Sequence, residues 1–167
     1  MKKLWLLPVL AVLAAGCAEK KTANNAQPAG MANPFKEVET AAEAAETAGF
    51  EITVPAGING LSDPVYRAME GMIEVVYEEG DEVVIVRKAL LKTTDGIKED
   101  ISGDYSSYEE SAMVCGVNAG FEARMNNHLV NVARWDDGEY AYALVINPGT
   151  SRGLETSVIM ELIESIR

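Results

Sequence analysis

The feature that most constrains the fold of this chain is a series of short segments between Phe50 and Ile146 in which apolar residues recur at every second position. A period of two is typical of β-strands that bury one face. Turn-forming residues separate the segments, and the clearest turn is Asp136-Asp137-Gly138-Glu139, because Asp-Gly favours a hairpin. The pattern therefore predicts an antiparallel meander of about six strands.

The clearest predicted strands are residues 72–77 and 83–89. Further strands are predicted at 113–117, 121–125, 129–135 and 140–146, with shorter ones at 51–54 and 64–67. Between the predicted strands 83–89 and 113–117, residues 92–110 are polar and carry no periodicity. We expect them to form an irregular connection.

Helices are predicted at both ends of this meander. Thr40 and Glu43 have the spacing of a capping box, the alanine-rich stretch 41–48 favours a helix, and Gly49 suits the position after its end. Ser151 is predicted to cap the second helix. The apolar stripe of that helix consists of Val158, Ile159, Leu162, Ile163 and Ile166. Helices over one face of an antiparallel sheet make an α+β fold, and we expect a single domain over residues 33–167.

The N-terminus has the organisation of an export signal. Met1-Lys2-Lys3 is followed by an apolar run over residues 4–15, which is shorter than the roughly 20 residues of a membrane-spanning helix. The run ends in Leu13-Ala14-Ala15-Gly16-Cys17, which resembles the lipobox of bacterial lipoproteins. The resemblance implies transfer of diacylglycerol to the Cys17 thiol and cleavage between Gly16 and Cys17.

This reading divides the chain into a lipoprotein signal peptide (1–16), a lipidated flexible tether (17–32) and the domain. Residues 18–32 have no periodicity and almost nothing to bury, as expected of a linker. We therefore expect the protein to be held on a cell membrane by its diacylglyceryl-cysteine, facing outward.

The charge of the chain excludes one class of partner. Loss of Lys2 and Lys3 leaves 12 basic against 26 acidic side chains, a formal charge of −14. A protein this acidic has no electrostatic surface for nucleic acid. If Cys17 carries lipid, Cys115 is the remaining cysteine, so the mature chain forms no intramolecular disulfide, and we expect a monomer.

A second resemblance covers residues 33–167. Its phrases are Asn33-Pro34-Phe35, Ala48-Gly49-Phe50, Ile85-Val86-Arg87-Lys88-Ala89, Asp100-Ile101-Ser102-Gly103-Asp104-Tyr105 and Trp135-Asp136-Asp137-Gly138. Together they resemble an uncharacterised family of Gram-positive-type surface lipoproteins that carry a domain of unknown function. The resemblance implies a single α+β domain exposed at the cell surface. It brings no activity and no catalytic residues.

A candidate metal site lies in the polar connection. Asp95, Glu99, Asp100 and Asp104 are hard oxygen ligands of the kind that calcium accepts. Their spacing does not match an EF-hand. The alternative is a solvated turn in which Asp and Ser side chains cap backbone amides.

Four residues are candidates for ligand binding. Arg87 and its neighbour Lys88 should point to opposite sheet faces, so that one could pair with the acidic connection and the other could meet an anionic ligand. The alternative, which the acidic composition favours, is that they serve in internal charge pairing. Trp135, Tyr140 and Tyr142 could form an aromatic strip for a glycan or peptide, or could stabilise the sheet by cross-strand packing.

The remaining reactive side chains, Cys115 and His128, do not indicate a catalytic site. Cys115 lies on a predicted strand without a neighbouring cation and is expected to be a buried small hydrophobe. His128, the only histidine of the chain, follows a turn signal and is expected to be exposed. No catalytic residues and no cofactor are predicted.

The first functional hypothesis is a non-catalytic surface or envelope domain that binds a protein, a peptide or a cell-wall component. The alternative is a carrier or sensor of a small apolar ligand held between the sheet and the helices. An enzyme that uses paired carboxylates is a third hypothesis.

Overall fold

An antiparallel sheet of eight strands forms the framework of the protein. The computed structural model describes residues 33–116 and 120–167. The strands of the large sheet are β1 (Lys36–Val38), β2 (Val65–Met69), β3 (Met72–Glu79), β4 (Glu82–Leu90), β7 (Glu110–Cys115), β8 (Gly120–Asn126), β9 (Leu129–Asp136) and β10 (Tyr140–Ile146). A separate hairpin consists of β5 (Thr93–Thr94) and β6 (Ile97–Lys98), and the helices are α1 (Ala41–Ala48) and α2 (Thr156–Ser165).

Two meanders meet in the middle of this sheet. The strand order is β1-β2-β3-β4-β10-β9-β8-β7, so the last strand of each meander pairs with the other. Tyr140 lies opposite Leu90 and Ile146 lies opposite Val84 in this central pairing. Because the two central strands have neighbours on both sides and cover on both faces, residues on both faces are buried: all of β10 except Tyr140, and residues 84–86, 88 and 89 of β4.

One face of the sheet packs against the two helices, and we call it the helix face. Ala44 and Ala48 of α1 and Ile159 and Ile163 of α2 belong to one apolar cluster with alternate residues of the strands. The strand residues in this cluster include Ile73, Val75, Tyr77, Val84, Val86, Tyr142, Leu144 and Ile146. Alanines on the buried side of α1 let its backbone approach the sheet closely.

The opposite face is covered by the irregular connection, and we call residues 100–108 of this connection the strap. Ile101 packs with Ala89, Ala141 and Ala143. Tyr108 packs on a second small cluster formed by Val76, Ile85, Val132 and Val145. The sheet is therefore covered on both sides, by helices on one and by the strap on the other.

The first helix begins and ends as its sequence predicts. Thr40 Oγ1 accepts a hydrogen bond from the Glu43 amide at 3.2 Å, and the Glu43 carboxylate accepts one from the Glu39 amide at 2.9 Å. Gly49 ends the helix with φ of +90°, a conformation that favours glycine. The predicted α1 bounds are confirmed.

An α+β arrangement with an antiparallel sheet is confirmed, but the strand count and the helix placement differ from the prediction. The large sheet has eight strands rather than about six: β2 lies where the short strand 64–67 was predicted, and β1 adds an unpredicted strand beyond it. The first helix does not precede the sheet, because α1 lies between β1 and β2. Residues 36–38 are too short to show a period of two, which is why their strand escaped the pattern.

Two local predictions were wrong. Residues 51–54 form no strand of the sheet; instead, Thr53 exchanges backbone hydrogen bonds of 2.7 and 3.0 Å with Arg167. Ser151 does not cap α2, which begins at Thr156 after Glu155, a residue that makes no side-chain capping bond. Leu154 is paired with Val130 through two backbone hydrogen bonds, so the chain is still extended at Leu154 and the helix starts later.

Residues Pro34–Arg167 form one compact unit. The predicted signal peptide, Cys17 and the tether to residue 32 lie outside the described residues. In the part of the chain that the structure describes, neither helix has the length and apolar character needed to cross a bilayer.

Candidate binding cleft

A cleft of about 230 Å³ opens on the strap side of the sheet. One side is formed by β7, β8, β9 and β10, and the other by the β5–β6 hairpin and the start of the strap. The residues that line it are Leu91, Lys98, Glu99, Ile101, Met113, Gly120, Glu122, Arg134, Trp135, Asp136, Ala141 and Tyr142. The cleft therefore combines apolar side chains with charges of both signs.

The strand register explains why this part of the sheet is hollow. Met113 lies opposite Glu122, and Glu122 lies opposite Arg134, so these three form a continuous row across the sheet. In the next row, Gly120 has no side chain. Among the described residues, only the Val114 carbonyl oxygen would lie within 4 Å of a Cβ at this position, at 3.5 Å. A glycine at the end of β8 thus leaves space in the floor of the cleft.

Most charges in the cleft are already paired. Lys98 donates to the Asp136 carboxylate. Arg134 lies 3.5 Å from a Glu122 oxygen and 3.3 Å from an Asp100 oxygen. Glu99 is the exception, because its exposed carboxylate forms no hydrogen bond or ion pair with the residues that the structure describes. Among the described residues that line the cleft, Glu99 therefore carries a negative charge without a partner.

Asp100 fixes the wall of the cleft to the sheet. Its carboxylate accepts a hydrogen bond from Arg124 at 2.6 Å and lies beside Arg134. Burial alone would raise the pKa of Asp100, but hydrogen bonds from Ser102 and Arg124 and the charge of Arg134 outweigh it and lower the pKa below its ordinary value. Asp100 is therefore ionised and paired at neutral pH.

The four predicted calcium ligands do not come together. Across residues 33–116 and 120–167, no group of three or more His, Cys, Asp or Glu side chains is placed to hold a metal ion. Asp95 lies in the β5–β6 turn with φ of +53°, and Glu99 lines the cleft. Asp104 accepts hydrogen bonds from the Ser106 amide and from the Tyr108 hydroxyl.

The strap instead follows the alternative that the sequence offered, a series of capped turns. Asp100 accepts from the Ser102 amide at 2.9 Å, Ser102 accepts from the Asp104 amide at 3.3 Å, and Asp104 accepts from the Ser106 amide at 2.8 Å. Each bond spans two residues. Side chains thus satisfy the backbone amides of a segment that has no regular structure.

Arg87 is not available to an anionic ligand. Its guanidinium binds the buried Glu74 carboxylate at 2.5 and 2.8 Å, and it donates to the carbonyl oxygens of Ile101 at 3.1 Å and Ser102 at 2.6 Å. Arg67 binds the other oxygen of Glu74 at 3.2 Å. The arginine contacts the connection as predicted, but through backbone carbonyls rather than acids. Its role is to hold the strap on the sheet.

Lys88 lies on the opposite face, as predicted, in an environment that the sequence did not reveal. Its Nζ donates to the Glu51 carbonyl oxygen at 2.8 Å and lies 4.3 Å from the ring centre of Tyr140. The rings of Phe50 and Tyr142 are 5.5 and 5.6 Å away. Burial lowers the pKa of this lysine, and the carboxylates of Asp137, Glu139 and Glu51 partly offset the effect. The rings stabilise the ammonium by cation–π attraction.

The predicted aromatic strip is mostly internal. Trp135 stacks on Tyr142 with ring centres 5.2 Å apart and planes 6° from parallel. Trp135 is 9% exposed and Tyr142 is 4% exposed, and both belong to the apolar cluster of the helix face. Tyr140 is half-buried against Phe50 at 4.9 Å. Of the two uses that the sequence allowed, sheet packing is the one observed, although Trp135 and Tyr142 also border the cleft.

Cys115 was predicted to be buried, which is wrong, and His128 was predicted to be exposed, which is confirmed. Cys115 is exposed, because it ends β7 at the edge of the sheet, where only one side of the strand is paired. His128 is in the turn between β8 and β9 with φ of +64°, and its side chain is 94% exposed. Strand alternation could not show that β7 is an edge strand, and this is why the exposure of Cys115 was missed.

Comparisons of this chain with protein-family models, with curated proteins and with solved structures found no match.

Proposed function

We propose that this chain is a lipid-anchored extracytoplasmic protein whose folded domain binds a protein, a peptide or a cell-wall component without catalysing a reaction. The lipobox-like segment ending in Cys17 supports the anchor. Two acyl chains meet the requirement for stable attachment, which one chain alone does not. The formal charge of −14 after cleavage supports the same view, since an acidic domain is repelled by anionic lipid and needs a covalent anchor.

The observation that carries the binding function is the cleft beside the edge strand β7. Concave sites that combine apolar walls with a few polar groups are the usual places of recognition. This cleft has apolar walls from Leu91, Ile101 and Met113, and its volume of about 230 Å³ lies below the range of roughly 300–1,000 Å³ typical of small-molecule pockets. The size favours part of a larger partner over a complete small ligand.

The carrier of an apolar ligand is the second candidate, and it requires space between the sheet and the helices. Tyr77, Leu144 and Ile159 in this region are fully buried and pack in one cluster. Side chains that fill a layer at the density of a protein interior leave little room for a ligand. This packing favours the binding domain over the carrier.

A photo-crosslinking experiment in cells tests the binding function. A photoreactive amino acid at Met113, which is 69% exposed at the cleft, should form adducts with an envelope component. The matched control is the same amino acid at Val158, an exposed apolar residue of α2 that is 38% exposed. Adducts at Met113 and not at Val158 support the proposal. Equal labelling at both positions, or none at Met113, overturns it.

The anchor is tested separately. The full chain expressed with labelled palmitate should incorporate the label and sediment with membranes, and Cys17→Ser should lose both properties. Label that persists in the Cys17→Ser chain, or a wild-type chain that stays soluble, would contradict lipidation at Cys17.

A further inference from the structure

We infer that the partner is an extended basic peptide that adds to the free edge of β7 and places a lysine or arginine side chain in the cleft. This inference rests on the binding function proposed above and specifies its ligand. It follows from the nature of the edge strand, from its position beside the cleft, and from the charge left unmatched in the cleft.

The edge strand has the properties of a strand that accepts another. β7 is last in the strand order, and no described strand pairs with its outer edge. Its six residues are all exposed or half-buried, and only Glu110 among them is charged. Proteins usually protect such edges with lysine, proline or a bulge. An unprotected edge is a template for β-augmentation, in which main-chain hydrogen bonds provide affinity.

The cleft begins directly beside this edge. Met113 belongs to β7 and lines the cleft, and its cross-strand neighbour Glu122 forms part of the floor. A strand added to β7 would lie about 4.8 Å from it, and every second side chain would point to the strap side of the sheet. Such a side chain can reach across Met113 into the cleft. Side-chain pockets next to a strand-addition site supply the specificity of this binding mode.

The Glu99 carboxylate in the cleft favours a basic side chain of the bound peptide. Lys98 and Arg134 are committed to acidic partners, whereas the Glu99 carboxylate has none among the described residues. A lysine or arginine presents a methylene stem to Ile101 and Met113 and a cation to Glu99. A second copy of this chain is a poor occupant, because each copy has a formal charge of −12 before cleavage and the copies repel each other.

Peptide selection on the full chain in detergent tests the inference. A phage-displayed library of random ten-residue peptides is selected on the wild-type chain and counter-selected on Gly120→Leu. That substitution fills the cleft, and within the described part of the chain only the Val114 oxygen lies within 4 Å of its Cβ, at 3.5 Å. Ala42→Leu adds the same side chain to an exposed site on α1 and serves as its control. We expect selected peptides to alternate apolar or β-branched residues with a recurring lysine or arginine.

Synthetic versions of one selected peptide then separate the two parts of the inference. Replacing the basic residue by norleucine, or using the Glu99→Gln chain, should weaken binding about threefold to fivefold, as expected for a partly exposed ion pair. Glu46→Gln, an exposed acid of α1, should leave affinity unchanged. In an added strand, alternate amides donate to β7 and the others point away from it. N-methylation of the first set should abolish binding, and N-methylation of the second set should leave it intact.

Failure of this inference is distinguishable from failure of the proposed function. Two results would overturn the strand-addition inference and leave the binding function standing. In the first, Met113 forms crosslinks in cells, but no selected peptide binds the wild-type chain better than Gly120→Leu. In the second, the selected peptides bind equally well whichever set of alternate amides is N-methylated. A concentration-dependent dimer that Gly120→Leu or an excess of the selected peptide disrupts would make a second copy the occupant. Absence of Met113 crosslinks would remove the basis for both.

Discussion

A Cβ atom at residue 103 would lie 2.0 Å from Nη1 of Arg87, so the strap can cross the sheet here only because residue 103 is glycine. Arg87 cannot easily move aside, since Glu74 and two carbonyl oxygens of the strap hold its guanidinium. The Gly103–Arg87 contact joins an irregular segment to the centre of the sheet.

Gly103→Ala should lower the free energy of unfolding by more than the cost of placing alanine at a positive φ. The φ of +62° at Gly103 alone costs alanine roughly 1–2 kcal/mol. Displacement of Arg87 should add at least about 1 kcal/mol, since charged hydrogen bonds would be lost. Gly80→Ala is the matched control, because Gly80 has the same φ and nothing within 4 Å of its added Cβ. Equal denaturant midpoints for the two variants would contradict the role of the contact.

Glu74→Gln should lower the free energy of unfolding by about 3 kcal/mol, because removing one member of a buried ion pair leaves the other charge uncompensated. Glu74 is 3% exposed and is bound by both Arg67 and Arg87. Glu37→Gln is the control, since Glu37 is an exposed acid 3.8 Å from the same Arg67. Its loss should cost less than about 1 kcal/mol. Urea denaturation of both variants measures the difference, and similar losses would disprove a special role for Glu74.

The contribution of Asp100 to stability should disappear in acid. Its pKa is lowered in the folded state relative to the ordinary value of 3.8, so the unfolded chain takes up the proton first as pH falls. The stabilisation is therefore fully present above about pH 4 and is lost as pH falls through the lowered pKa. Asp100→Asn should be less stable than wild type at pH 7, with the gap closing towards pH 2. Thermal denaturation of both chains across this range checks the trend, and a gap that stays constant with pH would contradict it.

Thiol titration of the native chain should detect one fast-reacting cysteine. Cys115 is exposed at the sheet edge, and Cys17 is blocked if it carries lipid. An aromatic disulfide reagent should therefore modify one thiol per chain without denaturant, and Cys115→Ser should reduce the count to zero. Two reactive thiols in wild type would contradict lipidation. A Cys115 that reacts only after unfolding would contradict the position of β7 at a free edge.

The predictability of the site differs sharply between its parts. The turns of the strap were foreseen as an alternative to calcium binding, because Asp and Ser cap amides two residues away and this chemistry is local. The aromatic surroundings of Lys88 were not foreseen. Phe50, Tyr140 and Tyr142 come from different elements, and only the pairing of β4 with β10 places Tyr142 opposite Lys88.

The local elements of this protein follow from interactions between residues close together in the chain. Thr40 and Gly49 bound α1, and the alternation from Tyr140 to Ile146 matches β10 residue for residue, because capping and strand burial depend on near neighbours. Tertiary contacts account for the pairing of β4 with β10 between two meanders, for the position of β7 at an edge, and for the cleft above Gly120. Those features depend on contacts between residues far apart in the chain, and a period of two says which side of a strand is buried but not which strand lies beside it.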